Sequence, residues 1–360
     1  MIGCTVAIVH LGRAEGLGAL RRVRSMREVF EAAGAVVVEV PLQLECPVRP
    51  GDLLRVDLAR LVRADIVPET FAWSRASVLA RLDTIDPALV VCNTARAFHP
   101  DLARDRPVVL DLVDRLSVSY HDRARVPGGG VRRAVYRVLA PLARRFEQRP
   151  RPAGVTTVAA GWEDAAALNA TWVPNTVRIA ELPDRPVTDD VVFFGNLSYP
   201  PNVEAVEVIS RFWPRLTARR PGTSLLLAGA HPSTRVVALA RRHGWRVWAD
   251  FPDLAAMLAG VRLAIAPLEH ASGIQSKVIE AAAHGLAQVL SPAALAGLAP
   301  GFPAPVASDE QSWVEAITGL LEDPGRRAEL ASAARAHVAT TYSVDRWAGW
   351  AAETLAASTR

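Results

Sequence analysis

Short runs of β-branched residues alternate with helix-length segments along most of the chain, and this rhythm constrains the fold more than any other feature. Thr5–His10 is typical of a buried strand, and apolar residues then recur at helical spacing up to Gly34. Further strand patterns follow at 36–40, 89–92, 108–112 and 155–158. Such alternation predicts a doubly wound α/β unit with a parallel sheet.

The rhythm is interrupted once and then starts again. Residues 178–190 (RIAELPDRPVTDD) have the composition of a linker, and a second series of strands and helices begins at Val191. A chain of 360 residues suits two domains. We therefore expect two Rossmann-like domains, at 1–177 and 178–342, with a cleft between them.

The charge pattern gives no indication of nucleic-acid binding. Of the 41 basic residues only Lys277 is a lysine. The first 180 residues carry 25 arginines against 19 acidic residues, so their positive excess is modest and spread along the chain. A nucleic-acid binder concentrates its charge on one face.

Several features point to a soluble cytoplasmic protein. The three cysteines lack the spacing of a zinc site or a disulfide framework, and the N-terminus lacks the basic region of a signal peptide. The longest uncharged run, 281–308, contains four prolines and cannot form one membrane-spanning helix. No D-x-D-type acidic cluster is present, so we expect no metal requirement. We also expect no cofactor.

The richest segment is APLEHASGIQSKVIEAAAHG, residues 266–285. A strand ends near Pro267 and a helix begins near Ile274, so main-chain N–H groups at the helix start would favour a phosphate. Lys277 could bind the same anion, and Glu280 on the same face could accept from ribose hydroxyls. These residues predict a nucleotide diphosphate site. The alternative is a capped helix with a surface Lys–Glu pair.

This segment resembles the donor-site signature of retaining GT-B glycosyltransferases of family 4. The stretches 193–206, 225–232, 248–260 and 320–347 are similar to the same family. The resemblance implies a GT-B fold with two Rossmann-like domains facing a central cleft. It also implies that the C-terminal domain holds a nucleotide-sugar donor and that a helix at 343–360 crosses back to the N-terminal domain.

The resemblance assigns donor-binding roles residue by residue. Glu280 would hold the ribose and Lys277 the diphosphate. The other positions assigned to the nucleotide sugar fall in three groups. The main-chain N–H groups of Gly273, Ile274 and Gln275 would bind its phosphates and sugar. Trp248 and Phe251 would form a wall beside the nucleobase (the base wall), and the turn Gly195-Asn196 would lie near the phosphates. Two features depart from the family. Ser272 replaces the first of two glutamates, and the usual Arg and Lys after the first C-terminal strand are absent.

In the N-terminal half the expected site residues surround the ends of predicted strands. The loop after the first strand contains Arg13, Gly16 and Gly18, where glycines permit close approach of a ligand. Asp111 and Asp114 follow a strand at the edge where open α/β sheets bind ligands. We expect Asp114 to contact the acceptor or the donor sugar, with His121 as a weaker candidate.

The tract 131–151 combines an apolar helical stripe with seven arginines. The stripe consists of Val131, Val135, Leu139, Leu142 and Phe146. We expect it to pack on the sheet with a solvated basic face. The alternative is contact with an anionic membrane or a lipid-linked acceptor.

The function expected is transfer of a sugar from a nucleotide-diphosphate sugar to an acceptor hydroxyl, with retention and without metal. The acceptor would belong to a cell-envelope glycan, an exopolysaccharide or a secondary metabolite, and the base could be that of UDP, GDP or dTDP. A nucleotide-sugar epimerase and a non-catalytic GT-B partner protein are the alternatives.

Overall fold

The computed structural model describes residues 3–12, 17–43, 58–125, 130–183 and 186–358. The chain forms two compact units. The first unit comprises Met1–Thr176, Ser272–Ile274 and Val344–Arg360, and the second comprises Val177–Ala271 and Gln275–Ser343.

Each unit is built on a parallel sheet. In the described part of the first unit the strand order is β2-β1-β3-β4-β5-β6, and in the second it is β11-β10-β7-β8-β9. The strands are β1 (Thr5–His10), β2 (Val36–Pro41), β3 (Leu89–Asn93), β4 (Val108–Asp111), β5 (Val155–Ala159), β6 (Thr171–Trp172), β7 (Asp189–Phe194), β8 (Leu225–Gly229), β9 (Arg246–Ala249), β10 (Val261–Ala266) and β11 (Gln288–Leu290).

Helices connect these strands. They are α1 (Leu17–Ala32), α2 (Leu58–Val62), α3 (Arg75–Ile85), α4 (Leu116–Arg123), α5 (Gly130–Gln148), α6 (Trp162–Ala167), α7 (Pro200–Arg219), α8 (Thr234–His243), α9 (Leu254–Ala259), α10 (Ser276–Ala283), α11 (Pro292–Ala296), α12 (Glu310–Glu322), α13 (Pro324–Thr341) and α14 (Val344–Ser358). Two parallel Rossmann-like sheets with crossover helices confirm the predicted fold class.

The central strands are apolar on both faces because helices cover both. Along β1, Val6 and Ile8 belong to one core cluster, whereas Ala7 and Val9 belong to another on the opposite face. A strand buried on both sides has no polar alternation. This explains why TVAIVH reads as one continuous apolar run.

The last helix belongs to the first unit. Trp347, Ala351 and Leu355 of α14 are buried in the same cluster as Phe30 of α1, and the Phe30 and Trp350 rings lie 5.7 Å apart. The apolar face of α14 therefore completes the core on one side of the first sheet.

Two sequence expectations need correction. Val131 and Val135 are 81% and 47% exposed, so the first half of α5 does not pack its stripe on the sheet, whereas Phe146 at its end is buried. Helix α10 begins at Ser276 rather than near Ile274, because the preceding residues belong to a separate loop. No helix among the described residues is long and apolar enough to cross a membrane.

Candidate functional site

The second unit has a topological switch point between β7 and β10. The chain moves outward through β8 and β9 on one side and through β11 on the other. Loops diverge at such a point and leave room for a ligand beyond the carboxyl ends of the strands. The loop after β7 and the start of α10 meet here, and together they hold Lys277.

Lys277 is fixed by contacts with the end of β7 and the start of α7. Its Nζ donates to Asn202 Oδ1 at 2.5 Å and lies 4.6 Å from the centroid of the Phe193 ring. Asn202 is buried, and its Nδ2 donates to the carbonyl of Asn196 at 2.8 Å. The ammonium is therefore held by a hydrogen bond and a cation–π contact at the switch point.

Two glycines at the ends of β7 and β8 shape the space around this ammonium. Gly195, at φ +149°, has the Lys277 Nζ only 3.3 Å from where a Cβ would stand. A Cβ on Gly229, at φ +150°, would lie 1.6 Å from the Gly195 carbonyl oxygen. Both backbone conformations strongly favour glycine. The ends of β7 and β8 can approach each other only because Gly229 carries no side chain, whereas the missing side chain of Gly195 leaves room for Asn202 and Lys277.

The loop after β9 follows the same edge of the sheet. Asp250 donates its N–H to the Gly229 carbonyl at 3.1 Å, so this loop continues directly from the end of β8. The half-buried rings of Trp248 and Phe251 lie 6.3 Å apart. The structure thus brings this predicted base wall and Gly195 to one edge of the second sheet.

The three residues predicted to donate main-chain N–H groups, Gly273, Ile274 and Gln275, are divided between the two units. The N–H of Gly273 donates to Asp164 Oδ2 at 3.0 Å, so that donor is directed to a carboxylate. Gln275 is the N-cap residue of α10, and Lys277 lies in the first turn. Glu280 follows on α10 and is half-buried. Ile274 and Gly273 belong to the first unit, whereas Gln275 and Glu280 belong to the second.

At the carboxyl edge of the first sheet, Asp111 was expected to face a ligand, but its carboxylate is buried in an ion pair. The side chains of Asp111 and Arg22 are both 0% exposed and form two hydrogen bonds, of 2.7 and 3.1 Å. Asn93 Nδ2 donates to the same carboxylate at 3.1 Å, and so does the Val113 N–H. Asp111 therefore fixes the turn that follows β4.

That turn presents Asp114. Val113 has φ 64°, a conformation unusual for a β-branched residue and one that the surrounding bonds must impose. The Asp114 Oδ2 accepts from the Ser272 hydroxyl at 3.1 Å. Burial, together with repulsion from Asp164, raises the pKa of Asp114 to about 6. Asp114 is thus a carboxyl group that can change protonation near neutral pH.

Asp164 is a site residue that sequence reasoning missed. It is buried, and its two oxygens accept from Arg115 Nε at 2.7 Å and from the Gly273 N–H at 3.0 Å. Its position at the start of α6, directly after β5, is the signal that could have found it. Asp164 positions the 272–274 loop beside Asp114.

The other predicted residues are dispersed. Arg13 and Gly16 lie outside the described residues, and Gly18 lies in the first turn of α1. His121 is exposed on α4 and lines a separate cavity together with Arg115. Asp114, Ser272 and Gly273 are the predicted residues that the first unit brings together.

Part of the second unit matches a family model of known proteins. Residues 188–323 match the model for Glycosyl transferases group 1. The match covers most of the second unit, including Gly195, Lys277 and Glu280. Residues 188–323 of the second unit are therefore similar to group 1 glycosyltransferases. A search of curated proteins finds no match.

Solved structures resemble the whole chain. HepE of Anabaena in complex with UDP-glucose is 15% identical with a TM-score of 0.68, covering 98% of this chain and 100% of that one. Sucrose-phosphate synthase of Thermosynechococcus elongatus is 14% identical, with a TM-score of 0.70 and coverage of 98% and 99%. WaaG, a glycosyltransferase involved in lipopolysaccharide biosynthesis, is 15% identical, with a TM-score of 0.58 and coverage of 97% and 99%. These likenesses confirm the GT-B fold.

Proposed function

We propose that this chain, whose residues 188–323 are similar to group 1 glycosyltransferases, transfers a hexosyl group from a nucleotide-diphosphate sugar to an acceptor hydroxyl. The observation that carries the proposal is Lys277, held over Phe193 at the switch point of the second sheet. Beyond the domain match, three solved structures of HepE from Anabaena contain UDP or UDP-glucose. A nucleoside diphosphate is the ligand that this edge of the sheet suits best.

Charge stabilisation by the protein supports a mechanism without metal. As the glycosidic bond breaks, negative charge develops on the diphosphate, and a cation fixed beforehand stabilises it with little reorganisation. Lys277 supplies that charge from the first turn of α10, where the helix dipole has the same sign. Retention and membership of family 4 are proposed from the resemblance of residues 266–285 to that family.

The proposed roles of the remaining residues follow from where they lie. Glu280, on the same helix as Lys277, would bind the ribose, and Trp248 with Phe251 would form the wall beside the base. In the first unit, Asp114 would accept a hydrogen bond from a substrate hydroxyl as a carboxylate. Its raised pKa means that this carboxylate is lost as the pH falls through about 6.

The acceptor would be a glycan or lipid-linked molecule handled in the cytoplasm at a membrane surface. Val131, Val135 and Val138 are all exposed on α5, with 47% as the lowest exposure of the three. The exposed Arg137 and Arg145 lie on the same helix. An exposed apolar stripe beside arginines suits the interface of an anionic bilayer.

A thermal-shift panel of UDP-, GDP- and dTDP-glucose tests the donor site. Binding to the folded state stabilises it, by about 2.7 kcal/mol when the ligand concentration is 100 times Kd, and so raises the melting temperature. We expect one nucleotide sugar to raise it in the wild type, and Lys277→Ala to abolish most of the shift. Arg241→Ala, which removes an exposed charge from α8, is the matched control. Absence of a shift with all three nucleotide sugars would contradict the proposal.

Product analysis separates transfer from the alternatives. Loss of Lys277 should lower the transfer rate by about 100-fold or more, the effect of removing one preorganised charge. Formation of an epimer from donor alone would indicate an epimerase. Binding without turnover across candidate acceptors would indicate a non-catalytic partner protein.

A further inference from the structure

A cavity of about 820 Å³ lies within the first unit, on the flank of its sheet. Helix α4, the end of α5, β5 and the end of α6 line it, and a smaller cavity of about 430 Å³ shares Arg149 and Arg151 with it. The larger volume is within the range of small-molecule sites. None of the residues assigned above to the donor lines this cavity.

We propose that this cavity binds an organic oxyanion, a molecule of sugar size bearing a phosphate or carboxylate group. Arg115, Arg144, Arg149 and Arg151 line it, whereas Glu147 is its one acidic lining residue. Guanidinium groups recognise phosphate and carboxylate through paired N–H donors. The proposal rests on these residues and is independent of the transferase activity.

The one acidic residue of the lining already has partners. Glu147 accepts from the Ser117 N–H at 2.9 Å and from the Ser117 hydroxyl at 2.5 Å. Burial raises the pKa of Glu147, which shows that its charge is poorly solvated. Glu147 therefore holds the start of α4 and contributes little to neutralising the arginines.

Two of the four arginines are paired with acids that do not line the cavity. Arg115 binds Asp164 at 2.7 Å, and Arg149 binds Asp65. Arg144 makes no ion pair within the described ranges, and neither does Arg151. Among the described residues, the cavity thus contains two guanidinium groups that form no ion pair.

Arg151 is oriented in advance. Its guanidinium lies 4.1 Å from the centroid of the Phe146 ring and donates to the Phe146 carbonyl at 2.9 Å. Burial and the nearby Arg149 lower the pKa of Arg151 to about 10, against the attraction of Glu147 and Asp65. A bound anion would relieve this crowding of like charges, and the stacked geometry reduces the entropy lost on binding.

The rest of the lining indicates an organic ligand rather than a bare ion. Val118, Pro150 and Leu168 give the cavity apolar surface, and Thr157 and Asn169 add polar side chains. Such a mixture suits a molecule with a carbon skeleton and a few hydroxyl groups. The arginines would bind its anionic end.

Isothermal titration of the full chain with glucose 6-phosphate, glucuronate, inorganic phosphate and glucose tests the proposal. We expect saturable binding of at least one of the two anionic sugars and none of glucose, with tighter binding than for phosphate. A preference between glucose 6-phosphate and glucuronate distinguishes the two anionic groups. Affinity should fall as salt is raised.

Arg144→Ala and its neighbour Arg145→Ala form a matched pair. Both arginines are exposed near the end of α5, but only Arg144 lines the cavity. Losing a charge-assisted contact should weaken binding by about tenfold in Arg144→Ala and by less than about twofold in Arg145→Ala. Arg151→Gln should weaken it further, with the melting temperature checked for each variant.

Two results would overturn the inference. One is a lack of saturable binding of both anionic sugars to the wild type. The other is equal weakening of anion binding by Arg144→Ala and Arg145→Ala, which would indicate attraction to the overall surface charge rather than to a defined site. Lys277→Ala should retain the binding, so failure of the donor site and failure of this site are distinguishable.

Discussion

The carboxyl edges of the two sheets are constructed by different means. In the second unit, the edge depends on backbone approach between Gly195 and Gly229 and on one cation, Lys277. In the first unit, it depends on two ion pairs, the fully buried Arg22–Asp111 pair and the pair of the buried Asp164 with the partly exposed Arg115. The difference is that an edge built by glycines is sensitive to volume, whereas one built by ion pairs is sensitive to the loss of a single charge.

The largest effect should follow from adding one carbon to the glycine-built edge. In Gly229→Ala the new Cβ would lie 1.6 Å from the Gly195 carbonyl oxygen, so the ends of β7 and β8 must separate. We expect a loss of about 4 kcal/mol in the free energy of unfolding, at the upper end for one substitution. Chemical denaturation of the full chain measures it.

Gly222→Ala is the control for backbone conformation. Gly222 also has a positive φ, of +80°, but a Cβ there meets nothing within 4 Å. Only the conformational penalty should remain, about 1 kcal/mol. Equal losses in the two variants would show that strain, and not close approach, dominates at Gly229.

The next largest effect should come from breaking the charge-built edge. Arg22→Met leaves the Asp111 carboxylate with 0% exposure and without its cation, which should cost about 3 kcal/mol. Adding Asp111→Asn should recover much of that loss, because no unpaired charge then remains and the amide oxygen can still accept from Asn93 or Val113. Urea unfolding of the single and double variants measures both values.

Arg27→Met on the same helix is the control. It breaks the Arg27–Glu31 and Arg27–Glu39 pairs, in which every side chain is at least 37% exposed, so the loss should be below about 1 kcal/mol. A comparable loss at Arg22 would mean that the buried pair contributes no more than a surface pair.

The same contrast explains how much the sequence could predict. The second-unit site is dominated by short-range order: the segment 266–285 carries Lys277 and Glu280, and strand ends meet at the switch point of any doubly wound sheet. Those positions were therefore predictable. The start of α10 was misplaced because the 272–274 loop bonds to the first unit, which local capping rules do not describe.

The first-unit site could be predicted only in part. Asp114 was predicted because it follows a strand, but its partner Ser272 is 158 residues away and the Asp164–Gly273 bond spans 109 residues. The pairing of Arg22 with Asp111 was not predictable, because nothing in the sequence shows that the two side chains will be buried opposite each other. Pairing of distant charges is a tertiary property that periodicity does not encode.

A third effect, of at most about 3 kcal/mol for a pKa raised from 3.8 to about 6, is expected at Asp114, and it has a characteristic pH dependence. Because the folded pKa of about 6 is above the ordinary value of 3.8, the charged form destabilises the folded state. Asp114→Asn should therefore be more stable than the wild type above pH 6, and the gain should vanish as the pH falls to about 4. The amide oxygen can still accept from Ser272, so packing is preserved.

Activity should respond in the opposite direction to stability. If the Asp114 carboxylate accepts a substrate hydroxyl, kcat/KM of the wild type decreases as the pH falls through about 6, whereas Asp114→Asn is slow and lacks that titration. Asp122→Asn, an exposed acid on α4, should behave like the wild type in both assays. A stabilised Asp114→Asn variant that kept full activity would assign the carboxylate to the structure of the charge-built edge alone.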